Sequence, residues 1–532
     1  MSTRAPISLQ PTRPVDRYRL PRPPDALIAF WSQPILRVAG AIGIALAIAV
    51  ALGIAMPRGP VDSGEALLLM ALSVLGGVAA GFVMRSGWAV VAALLAFLLA
   101  YEFVRRGEQG PSVDGIHLDT AFGILGLLVG RGVFVLLGLI PMALGCAYGA
   151  WLAGLLLEQS GISQQRAHTR FRRLRYAVTG LATLVVVGLA VWVALPASVP
   201  AVKGPDGNPA VGGIAELVEV DLNGHQQWIQ IRGANAENPV VLYLNGGPGQ
   251  SDLAMSRVLL EPLHQNFTVV GWDQRGTGKS YGSLDPETLT LDGIVDDTIA
   301  LTNYLRDRFD QEKIFLLTES WGSVPGVLAV QRHPELYHAY IGSGQMVDLL
   351  ETDRIIYEDL LADAKRRGDD GLVRTLQGFG PPPYGDIWDY AFVVQHYELI
   401  EDDYDPPAAY VDRYESSGIG FWGIMGSEYT LIDKTNVIRG LLDMASVMYP
   451  QLQEIDFRQQ AASLEVPVYL FLGEHELRGR QELAQEWFDM LDAPVKHLYT
   501  FANAGHAPAF EYADDLHRIL LEEIIPQTAL AT

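Results

Sequence analysis

The sequence lacks the cysteines that a disulfide scaffold requires, because Cys146 is its only cysteine. No intrachain disulfide can form, and cysteine usage does not indicate the redox compartment of the protein. Basic residues are also scarce, with 38 Lys and Arg against 61 Asp and Glu and a net charge of −23. Nucleic acid needs Lys and Arg to displace the counterions of its phosphates, so we expect no nucleic-acid partner.

Apolar residues are abundant, and charge is unevenly distributed along the chain. Hydrophobic residues make up 49% of the 532 residues. This share excludes a disordered chain, and together with the length it also excludes one simple globular domain. The first 203 residues contain 17 basic and 9 acidic side chains, whereas the remainder contains 21 and 52. Two physically different parts are therefore joined in one chain.

The first part contains five apolar runs, each near the roughly 20 residues that a helix needs to cross the hydrocarbon of a bilayer. They cover residues 38–56, 66–84, 88–104, 133–157 and 176–195. A single run can be a buried core helix, but five in succession favour an all-α transmembrane region of about five helices in a lipid bilayer. Residues 116–129 form a further apolar stretch that fits a sixth, short or re-entrant segment.

Arginines determine the expected orientation, since cytoplasmic segments retain positive charge. Five lie at positions 4, 13, 17, 19 and 22, and five more at 166, 170, 172, 173 and 175, after the fourth run. With five spans both clusters lie inside, although Arg105 and Arg106 then fall on the outer side. The sequence therefore predicts a multi-pass cell-membrane protein whose chain after about residue 200 is extracytoplasmic.

The second part alternates strands with helices, the pattern of a mostly parallel sheet covered by helices. Six near-continuous apolar runs fit buried strands, and two alternating runs around Asn223-Gly224 fit an antiparallel edge hairpin. The six runs are 240–244, 267–272, 314–318, 340–344, 466–472 and 497–501, and the hairpin runs are 214–220 and 227–231. About 120 residues between the fourth and fifth runs are too long for a simple connection and predict a cap over the carboxyl edge of the sheet.

A serine follows the strand at 314–318, in the sequence T-E-S-W-G-S that ends at Ser323. A strand, a sharp turn with Ser320 and an apolar helix resemble a nucleophile elbow, which points the first helix amides at the reacting carbon. Thr318 stands where the pattern has glycine, and its side chain crowds the turn. A serine that only caps a helix is the more frequent explanation of such a motif taken alone.

Two glycine-rich loops follow the strands at 240–244 and 267–272. The first, N-G-G-P-G from Asn245, lets the main chain approach a substrate and donate an amide. The second, D-Q-R-G-T-G-K-S from Asp273, does not match the spacing of a phosphate loop, and the first lacks the lysine and hydroxyl of one. The prediction therefore includes no cofactor and no metal.

Over about residues 213–525, the sequence resembles the prolyl iminopeptidase family of α/β-hydrolases (peptidase family S33). The resemblance is carried by these two loops, by E-S-W-G-S and by a later A-G-H-A-P. Asn245 departs from the histidine of that family's H-G-G-P-G. The resemblance implies an α/β-hydrolase fold with a helical cap, here preceded by the transmembrane region, which it does not cover. The expected organisation is a cytoplasmic arm at 1–34, a transmembrane region at 35–197, a linker at 198–212, a hydrolase core at 213–345 and 461–527, and a cap at 346–460.

The chain order of this fold, nucleophile, acid and histidine, predicts the remaining catalytic residues. Glu476 follows the strand at 466–472, where the family has an aspartate, and a glutamate can still orient an imidazole. His506 lies after the last strand. Glu474 and His475 are the weaker alternatives for the acid and the base.

In the predicted mechanism, Ser320 attacks a carbonyl, His506 acts as its base and Glu476 holds the imidazole ring. The amides of Trp321 and Gly247 stabilise the oxyanion. The supporting glycines of the two loops are Gly246, Gly249 and Gly322.

The resemblance implies an aminopeptidase that releases N-terminal residues, proline by preference, from short peptides through an acyl-enzyme, with cap carboxylates holding the free amino group. The acids Glu398, Glu401, Asp402, Asp403 and Asp405 are equally well explained as a solvated surface, so none is assigned. Two alternatives stay open. One is an esterase or lipase with the same triad, acting on an ester. The other is an inactive hydrolase-like membrane sensor, favoured by Thr318, Asn245 and Glu476. The sequence does not determine the oligomeric state.

Overall fold

The computed structural model describes residues 23–118, 120–159 and 169–530. The arginine cluster at 4–22 and Arg166 lie outside the described residues. Contacts divide the chain into two compact units. One contains the described residues of Met1–Ala55, Leu69–Val104 and Leu137–Gly188, and the other those of Met56–Leu68, Arg105–Leu136 and Leu189–Thr532. Three parts of the expected transmembrane region, residues 56–68, 105–136 and 189–197, therefore belong to the same unit as the hydrolase fold.

The N-terminal region is helical. Its helices are α1 (Asp25–Trp31), α2 (Pro34–Ala55), α3 (Ser63–Met84), α4 (Ala89–Val104), α5 (Ala121–Leu127), α6 (Ile140–Gln159) and α7 (Thr169–Val193). Within the described residues, four helices are long and apolar enough to cross a membrane, and they cover Pro34–Ala55, Ser63–Met84, Ala121–Glu158 and Arg173–Val193. The 16 residues of α4 extend only about 24 Å, less than the ~30 Å of hydrocarbon. The structure thus has four full-length candidates and a shorter fifth helix rather than five equivalent spans.

The stretch 116–129 is not a separate sixth segment. From Ala121 it continues through two π-helical turns, Leu128–Gly132 and Val135–Leu139, into α6, which makes one apolar helix of 38 residues. Between residues 127 and 139 the only polar side chain is that of Arg131, so no turn sequence interrupts the helix. At 1.5 Å per residue this helix is about 57 Å long, well beyond the thickness of the hydrocarbon.

Helices α3 and α6 pack through glycines spaced four residues apart. A Cβ atom on Gly77 or Gly81 would lie 2.2 or 2.1 Å from a carbonyl oxygen of α6. On α6, a Cβ on Gly145 or Gly149 would lie 2.2 or 2.0 Å from a carbonyl oxygen of α3. Small residues let two backbones approach this closely, which is a common basis of helix association in membranes.

An eight-stranded sheet forms the centre of the second unit, in the order β1-β2-β4-β3-β5-β6-β7-β8. The strands are β1 (Ile214–Leu222), β2 (His225–Gly233), β3 (Val240–Leu244), β4 (Thr268–Asp273), β5 (Ile314–Glu319), β6 (Tyr337–Ser343), β7 (Val468–Gly473) and β8 (Lys496–Phe501). Strands β3 to β8 are parallel, whereas β1 and β2 form the antiparallel hairpin at one edge. All eight predicted strands are confirmed, with ends that differ by up to three residues.

Helices cover both faces of the sheet and form the cap. The core helices are α8 (Leu253–Leu259), α9 (Leu291–Phe309), α10 (Ser323–Arg332), α17 (Arg478–Met490), α18 (Pro508–Glu511), α19 (Ala513–Ile519) and α20 (Ile525–Leu530). Between β6 and β7 lie α11 (Leu349–Arg367), α12 (Asp370–Phe379), α13 (Ile387–Val394), α14 (Ala408–Ser417), α15 (Leu431–Leu452) and α16 (Phe457–Gln460). These six helices occupy the region predicted to be a cap.

The buried carboxylate of Asp443, on α15, joins the cap to residues 56–68 and 105–136, which we call the connecting segments. It accepts hydrogen bonds from the amide and hydroxyl of Ser112, at 2.9 and 2.6 Å, and from the hydroxyl of Tyr281, at 2.7 Å. Arg58 lies 3.4 Å away. One turn earlier, Arg439 donates to carbonyls of both segments. The polar groups of two otherwise unrelated loops are thereby satisfied by one cap helix.

Replacement of Asp443 by alanine should therefore destabilise the second unit. The change leaves Ser112, Tyr281 and Arg58 without their shared acceptor, and breaking such a buried network costs about 3–5 kcal/mol. The thermal unfolding midpoint of the full chain in detergent should fall by several degrees. Asp412→Ala, at an exposed position of α14, is the matched control and should leave the midpoint unchanged. Equal midpoints for the two variants would contradict this role of Asp443.

Candidate active site

Ser320 lies at the sharp turn between β5 and α10. Its φ of 51° is in the left-handed region, which is unfavourable for a residue with a side chain. A short 3₁₀ turn, Ser320–Gly322, connects the strand to the helix. A Cβ on Gly322 would lie 2.3 Å from the carbonyl oxygen of Leu244 at the end of β3, so only glycine fits there. This packing holds the serine hydroxyl above the carboxyl edge of the sheet.

Thr318, the departure from the usual elbow pattern, fits without crowding the turn. Its hydroxyl donates to the hydroxyl of Tyr340 at 3.0 Å, and Tyr340 donates in turn to Gln345 at 2.6 Å. The methyl group is accommodated by Gly326 on α10, where a Cβ would lie 2.6 Å from Cγ2 of Thr318. The missing glycine at 318 is thus matched by a glycine across the strand–helix interface.

The structure brings Ser320, His506 and Glu476 together from three separate loops. Nε2 of His506 is 2.8 Å from Oγ of Ser320, and Nδ1 of the same ring is 2.5 Å from Oε2 of Glu476. These are the two contacts by which an imidazole can take a proton from a serine while a carboxylate fixes its tautomer. The imidazole is one-third exposed, whereas the carboxylate is buried.

Glu476 is kept ionised in spite of its burial. Desolvation opposes the charge, but His506, Arg480 and the amide of Leu477 outweigh it and lower the pKa of Glu476 to about 2. The Leu477 amide donates to Oε1 at 2.8 Å, and the Arg480 guanidinium lies 3.4 Å from the same oxygen. The extra methylene of glutamate is therefore accommodated, and Oε2 is directed at the imidazole.

The weaker alternatives for acid and base do not reach the serine. Glu474 is exposed, and its backbone amide bonds to Phe501. The ring of His475 stacks on Tyr404, with 4.8 Å between ring centroids. Of the two neighbouring acids and the two histidines, only Glu476 and His506 make the contacts of a relay with Ser320.

The N-G-G-P-G loop lies against the serine. Gly247 and Gly249 have φ values of 129° and 97°, and a Cβ on Gly249 would lie 2.5 Å from a carbonyl oxygen of α15. Gly247 lines the same pocket as Ser320 and Trp321, which places the two predicted oxyanion residues on one site. The Asn245 side-chain amide donates to carbonyls of the loop, at Gly246 and Gln250. Asn245 therefore holds the loop where the family has a histidine.

The D-Q-R-G-T-G-K-S loop contacts the site through Trp321 and is held in place by ion pairs. The indole N–H of Trp321 donates to Gln274 at 2.9 Å. Arg275 pairs with the buried Asp297 at 2.6 Å, and Lys279 pairs with Asp433 at 2.9 Å. Because these cations are paired within the protein, the loop has a structural role.

Two adjoining spaces extend from Ser320. The inner pocket, of about 50 Å³, is lined mainly by apolar side chains together with Tyr390, Tyr449 and Arg480. The outer cavity, of about 570 Å³, includes His506 and two of the five unassigned cap acids, Glu398 and Glu401. A small pocket next to a larger and more open one suits a compact acyl group and a larger leaving group.

Four residues of this site were not predicted from the sequence. Arg480 stands four residues after Glu476, one helical turn away, and that spacing was a usable signal. Glu319, beside the serine, is fully buried, and burial raises the pKa of its carboxyl well above the usual range. Pro111 and Phe122, from a connecting segment, line the outer cavity, and no sequence pattern indicated that.

Comparison with known proteins agrees with this architecture. Residues 239–370 match the family model of the alpha/beta hydrolase fold. A probable aminopeptidase from Bacillus subtilis (strain 168) is 28% identical over 308 residues, which cover 57% of this chain and 94% of the relative. A proline iminopeptidase from Clostridioides difficile (strain 630) is 29% identical over 161 residues, 28% of this chain and 53% of that protein.

Solved structures align with the chain at lower identity and with TM-scores below 0.5. A proline iminopeptidase-related protein from Thermus thermophilus has 22% identity and a TM-score of 0.42, covering 60% of this chain and 100% of that one. Proline iminopeptidase from Mycobacterium smegmatis has 16% identity and a TM-score of 0.42 with the same coverage. The family model and the eight-stranded sheet together show an α/β-hydrolase fold with prolyl iminopeptidase-like relatives, preceded by a helical region with several apolar helices.

Proposed function

We propose that this protein is a membrane-anchored serine hydrolase of peptidase family S33, an aminopeptidase of prolyl iminopeptidase type. The observation that carries the proposal is the hydrogen-bonded series Ser320–His506–Glu476 at a strained strand–helix turn. Aminopeptidase-named relatives support the choice of a peptide substrate. The relay of three side chains needs neither a metal nor a cofactor.

The proposed reaction is acyl transfer through a covalent intermediate. Oγ of Ser320 attacks the carbonyl carbon of the first peptide bond and gives its proton to Nε2 of His506. The amides of Trp321 and Gly247 stabilise the oxyanion, and His506 then protonates the leaving amine as the C–N bond breaks. Water, deprotonated by His506, releases the acyl group. Glu476 stays ionised throughout and stabilises the imidazolium.

Glu398 and Glu401 are the proposed partners of the substrate's free amino group. All five acids are exposed, but only these two line the outer cavity together with Ser320 and His506, and Asp402, Asp403 and Asp405 do not. Arg480 also lines the cavity, but its charge is directed at Glu476. The two glutamates therefore supply the negative charge that an ammonium group requires.

We also propose five membrane crossings, including the short α4, with the hydrolase on the extracytoplasmic side. With five crossings, the chain after the first, third and fifth helices lies on one side of the membrane. The connecting segments follow the first and third helices and share a unit with the hydrolase fold, which agrees with that count. The arginine clusters then favour the outer side for this unit.

Ser320→Ala should abolish covalent labelling of the purified full chain by a fluorophosphonate. It should also reduce kcat/KM for proline and alanine arylamides by about 10⁴-fold or more, because the variant has no nucleophile at the turn. His506→Ala should have an effect of similar size. His475→Ala is the matched control and should leave labelling unchanged. Labelling that persists in Ser320→Ala would rule out this nucleophile, and an unlabelled wild type would favour the inactive sensor.

The pair Glu398→Gln and Glu401→Gln separates an aminopeptidase from an esterase. Loss of these charges should raise KM for proline arylamide about three- to tenfold with little change in kcat. The reason is that the contact with the amine is made equally in the bound ground state and in the transition state. Turnover of a short acyl ester without an amine should not change. Asp402→Asn and Asp403→Asn are controls outside the cavity. If wild type prefers amine-free esters and the glutamate variants match it, the esterase alternative is correct.

The inactive alternative rests partly on Thr318, and the packing of Gly326 argues against it. Gly326→Ala should force the Thr318 methyl group and the elbow apart, lowering kcat/KM about tenfold, since overpacking costs roughly 1–3 kcal/mol. Adding Thr318→Gly to this variant should recover much of the lost kcat/KM. Gly378→Ala is the control, because a Cβ there meets nothing within 4 Å. Failure of the double variant to recover would show that Gly326 does not compensate for Thr318.

A further inference from the structure

The outer cavity combines polar groups with a largely apolar wall. Ser320, His506, Glu398 and Glu401 provide its reactive and charged groups. The wall is formed mainly by Phe122, Ile387, Trp388, Val394, Trp422 and Leu442. A cavity of this size and mixed lining suits a ligand with a polar head and an apolar chain.

Phe122 joins this wall from outside the hydrolase sequence. Its ring stacks on Trp422 with 6.4 Å between centroids and an angle of 11° between planes. His117 stacks on Trp388 at 4.5 Å, and the Ala121 amide donates to the Gln395 side chain at 3.3 Å. The first turn of the 38-residue apolar helix is thus built into the active-site cavity, and all of these residues lie in the same unit.

The apolar wall continues to the protein surface. Phe421 lines the cavity and is 69% exposed, so it lies at the mouth. Along the connecting segment and the helix, large apolar side chains are exposed at Ile116, Leu118, Ile124, Leu128, Val135 and Leu136. The guanidinium of Arg131 is turned to carbonyls of residues 113–115. An apolar face of this extent is unfavourable in water and suits the acyl boundary of a bilayer.

We propose that the natural substrate is an amphiphile: an aminoacyl group bound at Ser320 and joined, through the bond that is cleaved, to a leaving group with an apolar chain. The chain lies along Phe122, Trp388 and Trp422 and reaches the bilayer interface at Phe421. This inference rests on the proposed serine hydrolase function. The helix that continues from Phe122 is itself a candidate membrane span, which is the reason for choosing the bilayer as the source of the substrate.

The chemistry is unchanged by the chain. Oγ of Ser320 forms a bond to the aminoacyl carbonyl carbon, and the C–O or C–N bond to the chain-bearing group breaks. That group leaves as an alcohol or amine with the proton that His506 took from the serine. Water then hydrolyses the aminoacyl-enzyme and returns the serine hydroxyl. The apolar product can remain in the membrane while the amino acid leaves to water.

The test uses the full chain in phosphatidylcholine nanodiscs with butyl, hexyl and octyl esters of proline. Burial of each added methylene can raise kcat/KM up to about fourfold, so partial burial predicts a rise of about tenfold or more from butyl to octyl. In Phe122→Ala and Phe421→Ala, the ratio of kcat/KM for the octyl ester to kcat/KM for the butyl ester should be at least severalfold smaller than in wild type. Phe122→Leu should keep most of the wild-type ratio. Because the esters partition equally into every nanodisc, a difference in slope between variants reports the wall alone.

Trp192→Ala is the control, since this side chain on α7 is 52% exposed and lies outside the cavity. It should keep the wild-type slope. Fluorophosphonate labelling and the thermal unfolding midpoint establish that each variant is folded. Phe421→Ala changes an exposed side chain, so of these variants it should disturb folding least. If kcat/KM depends on ester chain length equally in wild type and in both alanine variants, with labelling intact, the proposal of an amphiphilic substrate is wrong. The proposal of a serine hydrolase would then be unaffected. Absence of labelling and of all ester turnover in wild type would overturn both.

Discussion

The strained turn at Ser320 is the constraint on which the rest of the site depends. A serine with a φ of 51° persists only because its surroundings hold it there. Gly322 packs against the end of β3, and Gly326 receives the methyl group of Thr318. These contacts fix the serine hydroxyl relative to the sheet, and the loops after β7 and β8 then place Glu476 and His506 within hydrogen-bonding distance. The sheet order thereby turns three distant positions into one proposed relay.

Electrostatics within the proposed relay is decided by burial and by one cation. A buried carboxylate would ordinarily take up a proton, yet the contacts with His506 and Arg480 keep Glu476 charged. The neighbouring Glu319 has no such compensation, and its pKa is raised. The pKa values of these two glutamates are therefore shifted in opposite directions. Arg480 is a positioning residue in this arrangement, since it acts through Glu476.

Side-chain contacts, and not the chain alone, join the two connecting segments to the hydrolase fold within the second unit. Asp443 and Arg439 on a cap helix satisfy the polar groups of both connecting segments, and one of those segments supplies Phe122 to the cavity. A hydrolase expressed without the connecting segments would lack a part of its cavity wall and leave Asp443 without the Ser112 and Arg58 contacts.

The fold, the strand positions and the candidates Ser320, Glu476 and His506 could be predicted from the sequence, because apolar runs and loop motifs are local patterns. The sequence also indicated the apolar helices, but it counted residues 116–129 apart from the run at 133–157, since continuity through π-helical turns is not a local signal. Three features could be seen only in the folded chain: Gly326 accommodates Thr318, Glu398 and Glu401 line the cavity, and Phe122 reaches it. Those facts depend on contacts between residues far apart in the chain, and no composition or periodicity encodes such contacts.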